Sequence, residues 1–222
     1  MTKLTRTGMT VLLVGAMISA CAGTRSSSSW KDPEYNRQIK NVYIIGIVEQ
    51  DYNRTYFENA FYGQLAREGV KAVPSSKGLP ISDANNREAI IEQMKANNCD
   101  SVLLTRVIDE KTKATLQSPR GSYQYVPGPY YGGVRTYSVP SYYGSWGTYL
   151  NTGYRAVYQP PSGRGISVLT VESVMYDLQT EELIWSARMK TDQEDTLEFM
   201  INKFVAEAVK DLKSNGLLDK KQ

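Results

Sequence analysis

The sequence predicts an α/β (α+β) protein, a single mixed sheet with helices packed on it, in the order β-α-β-α-β, an insertion, then β-β-α. Two observations carry this. Runs of strand length rich in β-branched residues, 42–48 (VYIIGIV) and 100–108 (DSVLLTRVI), alternate with segments whose apolar residues recur at helical spacing. The 222 residues are also 41% hydrophobic, enough to bury the core of one domain and too much for a disordered chain.

The elements follow in order. Residues 42–48 read as a central strand. Asn53 offers an N-cap, and Phe57, Ala60, Phe61 and Leu65 then share one helical face until Gly69 stops the helix. Val70 to Val73 reads as a short strand, punctuated by Pro74, Gly78 and Pro80. Asp83 is placed to cap a second helix with Ile90, Ile91 and Met94 on its apolar side, ahead of the strand at 100–108. Residues 166–176 and 183–189 form two strands joined by a polar stretch, an antiparallel hairpin. In the second, Leu183, Trp185, Ala187 and Met189 alternate with Ile184, Ser186, Arg188 and Lys190, the pattern of a half-buried strand. Thr191 and Glu194 have capping-box spacing. The helix they announce carries Leu197, Met200, Ile201, Phe204, Val205, Ala208, Val209 and Leu212, and ends at Gly216.

The first twenty residues are an address rather than part of the fold. Lys3 and Arg6 precede ten apolar residues, Met9 to Ile18, too few to span a bilayer of roughly 30 Å as a helix but right for a secretory signal peptide. Ile18-Ser19-Ala20-Cys21 resembles the bacterial lipobox, which implies cleavage between Ala20 and Cys21 and a covalent lipid on Cys21. Each buried methylene of such a lipid contributes about 0.8 kcal/mol to membrane binding. Ala22 follows the cysteine, where lipoproteins kept in the inner membrane often carry Asp, so the resemblance implies the outer membrane, facing the periplasm. Residues 21–40 are then the lipidated Cys and a flexible tether, with the α/β domain at 41–218. Removing Lys3 and Arg6 leaves 24 basic against 23 acidic side chains, so the formal charge of +3 is mostly leader.

The insertion, 117–164, holds ten of the sixteen tyrosines, eight glycines and six prolines, too long a stretch for an ordinary connection. No acid occurs from Lys111 through Val171, while Arg135 and Arg155 lie among the rings. Tyr123, Tyr125, Tyr130, Tyr131, Tyr137, Tyr142, Tyr143, Trp146, Tyr149 and Tyr154, with those two arginines, are the candidate binding surface. Three readings stay open: contact with a protein partner or glycan, a membrane-facing loop with rings at headgroup level, or a flap whose tyrosines pack onto the sheet. Basic and aromatic residues together also suit single-stranded nucleic acid, which a periplasmic address and a small net charge oppose.

Catalytic constellations are missing from the sequence pattern. Without histidine there is no Ser-His-Asp or Cys-His system and no His-ligated zinc. Glu49, Asp51, Asp109, Glu110 and Asp177 match no metal-loop spacing and read as strand-end and capping carboxylates. With Cys21 lipidated, Cys99 has no disulfide partner and reads as a small, partly buried thiol.

The lipobox, VYIIGIV, 99–109 (CDSVLLTRVID), the Tyr/Gly/Pro insertion and 169–189 (LTVESVMYDLQTEELIWSARM) together resemble a family of small uncharacterised bacterial outer-membrane lipoproteins. In them an aromatic insertion precedes a strand, an Asp-containing turn and a Leu-x-Trp strand, matched here by Asp177 and Leu183-Ile184-Trp185. The resemblance implies no catalytic residue and no cofactor beyond the lipid. More remotely, the element order resembles an α/β module of envelope lipoproteins that assemble into secretion pores or activate peptidoglycan synthases. The expected function is therefore non-enzymatic: a lipid-anchored domain offered to an envelope protein or to a second copy of itself. The alternative is a peptidoglycan or glycan binder that uses the Tyr/Arg-rich insertion.

Overall fold

The computed structural model describes residues 27–48, 50–109, 143–155, 169–191 and 196–218. Along these the chain forms β1 (Ser27–Lys31), β2 (Asn41–Ile47), α1 (Asp51–Arg67), β3 (Lys71–Pro74), α2 (Arg87–Ala96), β4 (Ser101–Asp109), α3 (Trp146–Arg155), β5 (Leu169–Asp177), β6 (Leu183–Thr191) and α4 (Leu197–Ser214). The six strands make one mixed sheet in the order β1-β6-β5-β4-β2-β3. β2 runs parallel to β3 and β4, and every other pairing is antiparallel. This is the predicted fold class, with β5 and β6 as the predicted antiparallel hairpin.

Helices cover both faces, because both faces of the sheet carry apolar residues. Val42, Ile44, Leu103, Val171, Met175, Trp185 and Met189 pack on one side against Phe57, Phe61 and Leu65 of α1 and the apolar stripe of α4. Phe61 and Phe204 meet edge to face, with ring centroids 6.3 Å apart. On the other side, Tyr43, Ile45, Val102, Leu104, Val174 and Tyr176 pack against Ile90 and Met94 of α2 and against Tyr143, Trp146, Tyr149 and Leu150. Gly69 and Gly216 end α1 and α4 at φ 82° and 73°. After each, a backbone N–H (Val70, Leu217) reaches back to a carbonyl in the last turn (Leu65, Leu212), as a left-handed stop requires.

Several boundaries differ from the sequence reading. Residues 27–40 are no tether: Ser27–Lys31 is an edge strand paired with Met189 to Trp185, and Ile39, 3% exposed, donates its N–H to Leu217. The run Ser-Ser-Ser has no strand signal of its own; the unpaired edge of β6 supplies the backbone partners, and Ser29 Oγ is fixed on Asp211 at 2.8 Å. α1 begins at Asp51, with Gln50 rather than Asn53 at its N-cap. Asn86, not Asp83, caps α2, accepting from Ala89 N, while Ile81–Asp83 is a single 3-10 turn. Thr196 caps α4 through Phe199 N, so the helix starts beyond the expected box at Thr191–Glu194. β6 is not half-buried either. Ile184, Ser186 and Arg188 are buried along with Trp185, Ala187 and Met189, because a bulge beside Met175/Tyr176 turns Ile184 inward and α3 roofs the second face.

The sheet has two distinct ends. One gathers the start of β1, the carboxyl ends of β2, β4 and β6, and the amino ends of α1 and α4. α1 and α4 run side by side in the same direction, since Asn202 donates to Tyr56 Oη at 2.8 Å near one end and Lys213 pairs with Glu68 at 2.7 Å near the other. The opposite end holds the turn between β5 and β6 and the start of β4, roughly 26 Å away at about 3.3 Å per residue.

Candidate functional site

The middle of the sheet contains a buried ionic row. Arg106 on β4, Glu172 on β5 and Arg188 on β6 are direct cross-strand neighbours, so all three side chains project to one face. Glu172 is fully buried. Its Oε2 accepts from Arg106 Nε at 2.8 Å and Nη2 at 2.6 Å and from Tyr149 Oη at 2.7 Å. Its Oε1 accepts from Tyr143 Oη at 2.5 Å and from Arg188 Nε and Nη2. Arg188 Nη2 also donates to Tyr143 Oη. The Tyr143 and Tyr149 rings stack 5.8 Å apart, the Arg106 guanidinium lies 4.6 Å over Tyr149, and Tyr176 Oη donates to the Tyr143 carbonyl at 3.1 Å.

Charge states follow from these contacts. Burial raises the Tyr149 hydroxyl well above its ordinary pKa; Arg106 opposes this and Glu172 adds to it, so the phenol stays a protonated donor. Burial first, and Arg106 second, lower Arg188 to about 10, and it remains charged at neutral pH. With six donor contacts on its two oxygens, Glu172 has no lone pair left for a substrate proton. Its role is to clamp residues 143–155 onto the sheet.

A second buried pair sits in α1. Arg54 and Glu58 are both fully buried, at positions continuous with the Phe57, Phe61 and Leu65 stripe. Glu58 accepts from Gly46 N at 2.9 Å, Ser75 Oγ at 2.6 Å, Ser76 N at 2.7 Å and Arg54 Nε at 3.3 Å. It therefore ties α1 to β2 and to the turn after β3. Near it, α3 closes over the carboxyl end of β2, where sheets with this kind of crossover commonly bind ligands: a Cβ on Gly153 would come within 2.9 Å of Ile47 Cδ1.

The widest of the described clefts lies at the opposite end. A cleft of about 730 Å³ opens between α2, the start of β4 and the β5–β6 turn, lined in part by Arg37, Arg87, Lys95, Asp100, Asp177 and Glu181. Arg87 covers the Trp146 ring at 5.1 Å and pairs with Glu181 at 3.4 Å. Cys99 also borders the cleft; burial, and then Asp100, push its thiol up to about 11, which leaves it a poor nucleophile at neutral pH. Among the described residues no three His, Cys, Asp or Glu side chains are grouped as metal ligands, and no helix is long and apolar enough to cross a membrane.

Asp177 organises the rim of this cleft. Its Oδ1 accepts from Gln179 N and Thr180 N, closing the β5–β6 turn, and its Oδ2 accepts from Tyr35 Oη and Arg37 Nη2. Burial alone would raise its pKa, but the Thr180 and Gln179 amides, the Tyr35 hydroxyl and Arg37 outweigh it and leave it below the ordinary carboxylate value. A lowered folded-state pKa stabilises the fold above the unfolded value of about 3.9, and the contribution vanishes as pH falls through the folded value. Asp177→Asn is thus expected to lower the urea midpoint at neutral pH, with the gap from the parent closing in acid. A gap independent of pH would refute this.

Of the predicted surface residues, the structure places Tyr143, Trp146 and Tyr149 in the core, at 4%, 1% and 0% exposure. For these three, the packing reading of the insertion is the one observed. Tyr154 and Arg155 end α3, with their side chains outside the described positions. Residues 1–26 with Ala20 and Cys21, together with Tyr123, Tyr125, Tyr130, Tyr131, Arg135, Tyr137, Tyr142, Glu49 and Glu110, lie outside the described residues. Sequence reasoning missed Glu172, Arg106, Arg188, Arg54 and Glu58. A signal existed for the last two, charged residues four apart on an apolar helical stripe.

No family model matches the chain, and no curated protein matches it. Among solved structures it is similar to the PelC dodecamer from Paraburkholderia phytofirmans, with 12% identity and a TM-score of 0.44 over 89% of this chain and 99% of that one. A point variant of that dodecamer gives 12% and 0.42 over 83% and 96%. A PDZ domain protein from Parabacteroides distasonis gives 9% and 0.39 over 82% of this chain and 35% of its own. These likenesses are too distant to carry fold or function across.

Proposed function

We propose that the chain is a non-enzymatic lipoprotein of the bacterial outer membrane, anchored through Cys21, that offers its α/β domain in the periplasm to an envelope protein or a second copy of itself. The observation that carries this reading is the polarity of the domain. The chain enters the sheet at one end, at Ser27, and the charged cleft opens at the other. A lining that mixes Arg, Lys, Asp and Glu suits a polar protein surface better than an apolar small molecule. The buried carboxylates support a structural rather than a catalytic role, because each is saturated by donors. Stacking of sugars on the insertion would have to use rings other than Tyr143, Trp146 and Tyr149, whose faces are covered.

Photo-crosslinking in cells tests this. A photoreactive residue at Lys95 or Glu181, both exposed at the cleft, is expected to give discrete adducts, while one at exposed Glu207 on α4 gives none. Equal adducts at all three, or none at the cleft, would overturn the reading. Deleting all of 117–164 is a poor test, since it removes Tyr143 and Tyr149 from Glu172.

A further inference from the structure

We infer that the end of the domain bearing Tyr52, Tyr56 and Phe199 rests on the lipid headgroups of the membrane that holds Cys21; this deepens the anchor reading and rests on it. Ser27, the first residue of β1, pairs with Met189 near the carboxyl end of β6, so it belongs to the same end of the sheet as the first turns of α1 and α4. Six Cα steps separate Cys21 from Ser27, a span of at most about 20 Å at full extension. A lipid on Cys21 therefore keeps this end, and not the cleft end, within a short distance of the bilayer.

That same end shows the most exposed large apolar side chains among the described residues. Tyr52 is 65% and Phe199 51% exposed, against 39% for Tyr62 and 38% for Ile81. Tyr62 is moreover covered by Lys77, 4.2 Å from its ring. Because α1 and α4 run in the same direction, with Asn202 bonded to Tyr56, Tyr52 in the first turn of one and Phe199 in the first turn of the other lie at the same end of the domain. Tyr56 continues the patch, its ring 6.3 Å from Tyr52, around a shallow depression of about 420 Å³ also lined by Thr55, Asn59, Ala60 and Asn202. Rings with a polar tip partition to the headgroup level of a bilayer, and an attached lipid turns even a weak contact into a populated one. The first turns also carry Asp51 and Glu198, so the contact is aromatic and apolar, not a basic patch drawn to anionic lipid.

The test uses the full lipidated chain in a Cys99→Ser background, reconstituted in phosphatidylethanolamine/phosphatidylglycerol vesicles. An environment-sensitive fluorophore is attached at Tyr52→Cys, Asn59→Cys or Phe199→Cys, with Glu181→Cys at the cleft end as reference. Headgroup-level spin-labelled lipid is expected to quench the first three several-fold more than the last, with little change when salt or phosphatidylglycerol is raised. Asn59, exposed and not packed in the core, keeps the test valid if an aromatic replacement perturbs the fold. A chain that floats with vesicles but shows equal quenching at all four positions overturns the orientation alone. Quenching that follows the anionic lipid overturns the apolar contact. A chain that does not float overturns the anchor, and the orientation with it.

Discussion

Glu172→Ala is expected to lower the unfolding free energy by about 3–5 kcal/mol, a large share of the roughly 5–15 kcal/mol of an ordinary domain. The cost does not come from losing attraction alone. Arg106 and Arg188 have side chains only 10% and 9% exposed, and both face the carboxylate from adjacent strands. Without it, two guanidinium groups and the Tyr143 and Tyr149 hydroxyls lose their shared acceptor in a place where water cannot replace it. The urea midpoint reads the loss, and hydrogen exchange locates it: α3 is expected to lose protection first, because its attachment is polar at Glu172. The same physics predicts a rescue. Adding Arg106→Met and Arg188→Met to Glu172→Leu removes the orphaned charges and is expected to recover part of the stability. A triple variant less stable than the single one would show that the row contributes by attraction rather than by mutual satisfaction.

That row also explains what the sequence could not reveal. The α4 stripe was legible because eight apolar residues at alternating spacings of three and four demand a buried face whatever they pack on. β2 was legible because a seven-residue run with five β-branched residues, 42–48, has few other uses. β6 misled for the opposite reason: Ser186, Arg188 and Lys190 look like a wet face, and only Lys190 is. Arg188 goes inside because Glu172 stands opposite it, and that pairing is a long-range fact invisible to local periodicity. The insertion posed a similar problem. Composition marks 117–164 as unusual but does not say which tyrosines reach the sheet. Tyr143 and Tyr149 do so because their hydroxyls find the buried Glu172 carboxylate on that face. β1 was missed because an edge strand is specified by its neighbour's unpaired backbone, not by Ser-Ser-Ser-Trp-Lys itself.

The second large effect is expected at Glu58. Glu58→Ala should cost about 3–5 kcal/mol in the same urea experiment, since it leaves Arg54, with no exposure at all, beside one hydroxyl and a distant acid. Ser75 Oγ accepts from Arg54 Nη2 at 2.8 Å, but the nearest other carboxylate among the described residues, Asp51, is 3.8 Å from Nη1 and largely in solvent. The Gly46 and Ser76 amides lose their acceptor as well. Glu58→Gln separates the two contributions: it keeps the shape but replaces an acceptor with an amide donor and removes the charge. It should therefore be destabilising too, where a purely steric role would leave it near neutral. The comparison that isolates burial is Glu68→Gln, which breaks the Lys213 pair at the far end of α1. The Lys213 and Glu68 side chains are 40% and 25% exposed, and the change is expected to stay within about 1 kcal/mol. The two clamps should also fail differently. Loss of Glu172 frees one helix from one face, whereas Glu58 joins α1 to β2 and to the turn after β3. Its removal is expected to raise exchange across all three together, as a cooperative loosening of the parallel half of the sheet.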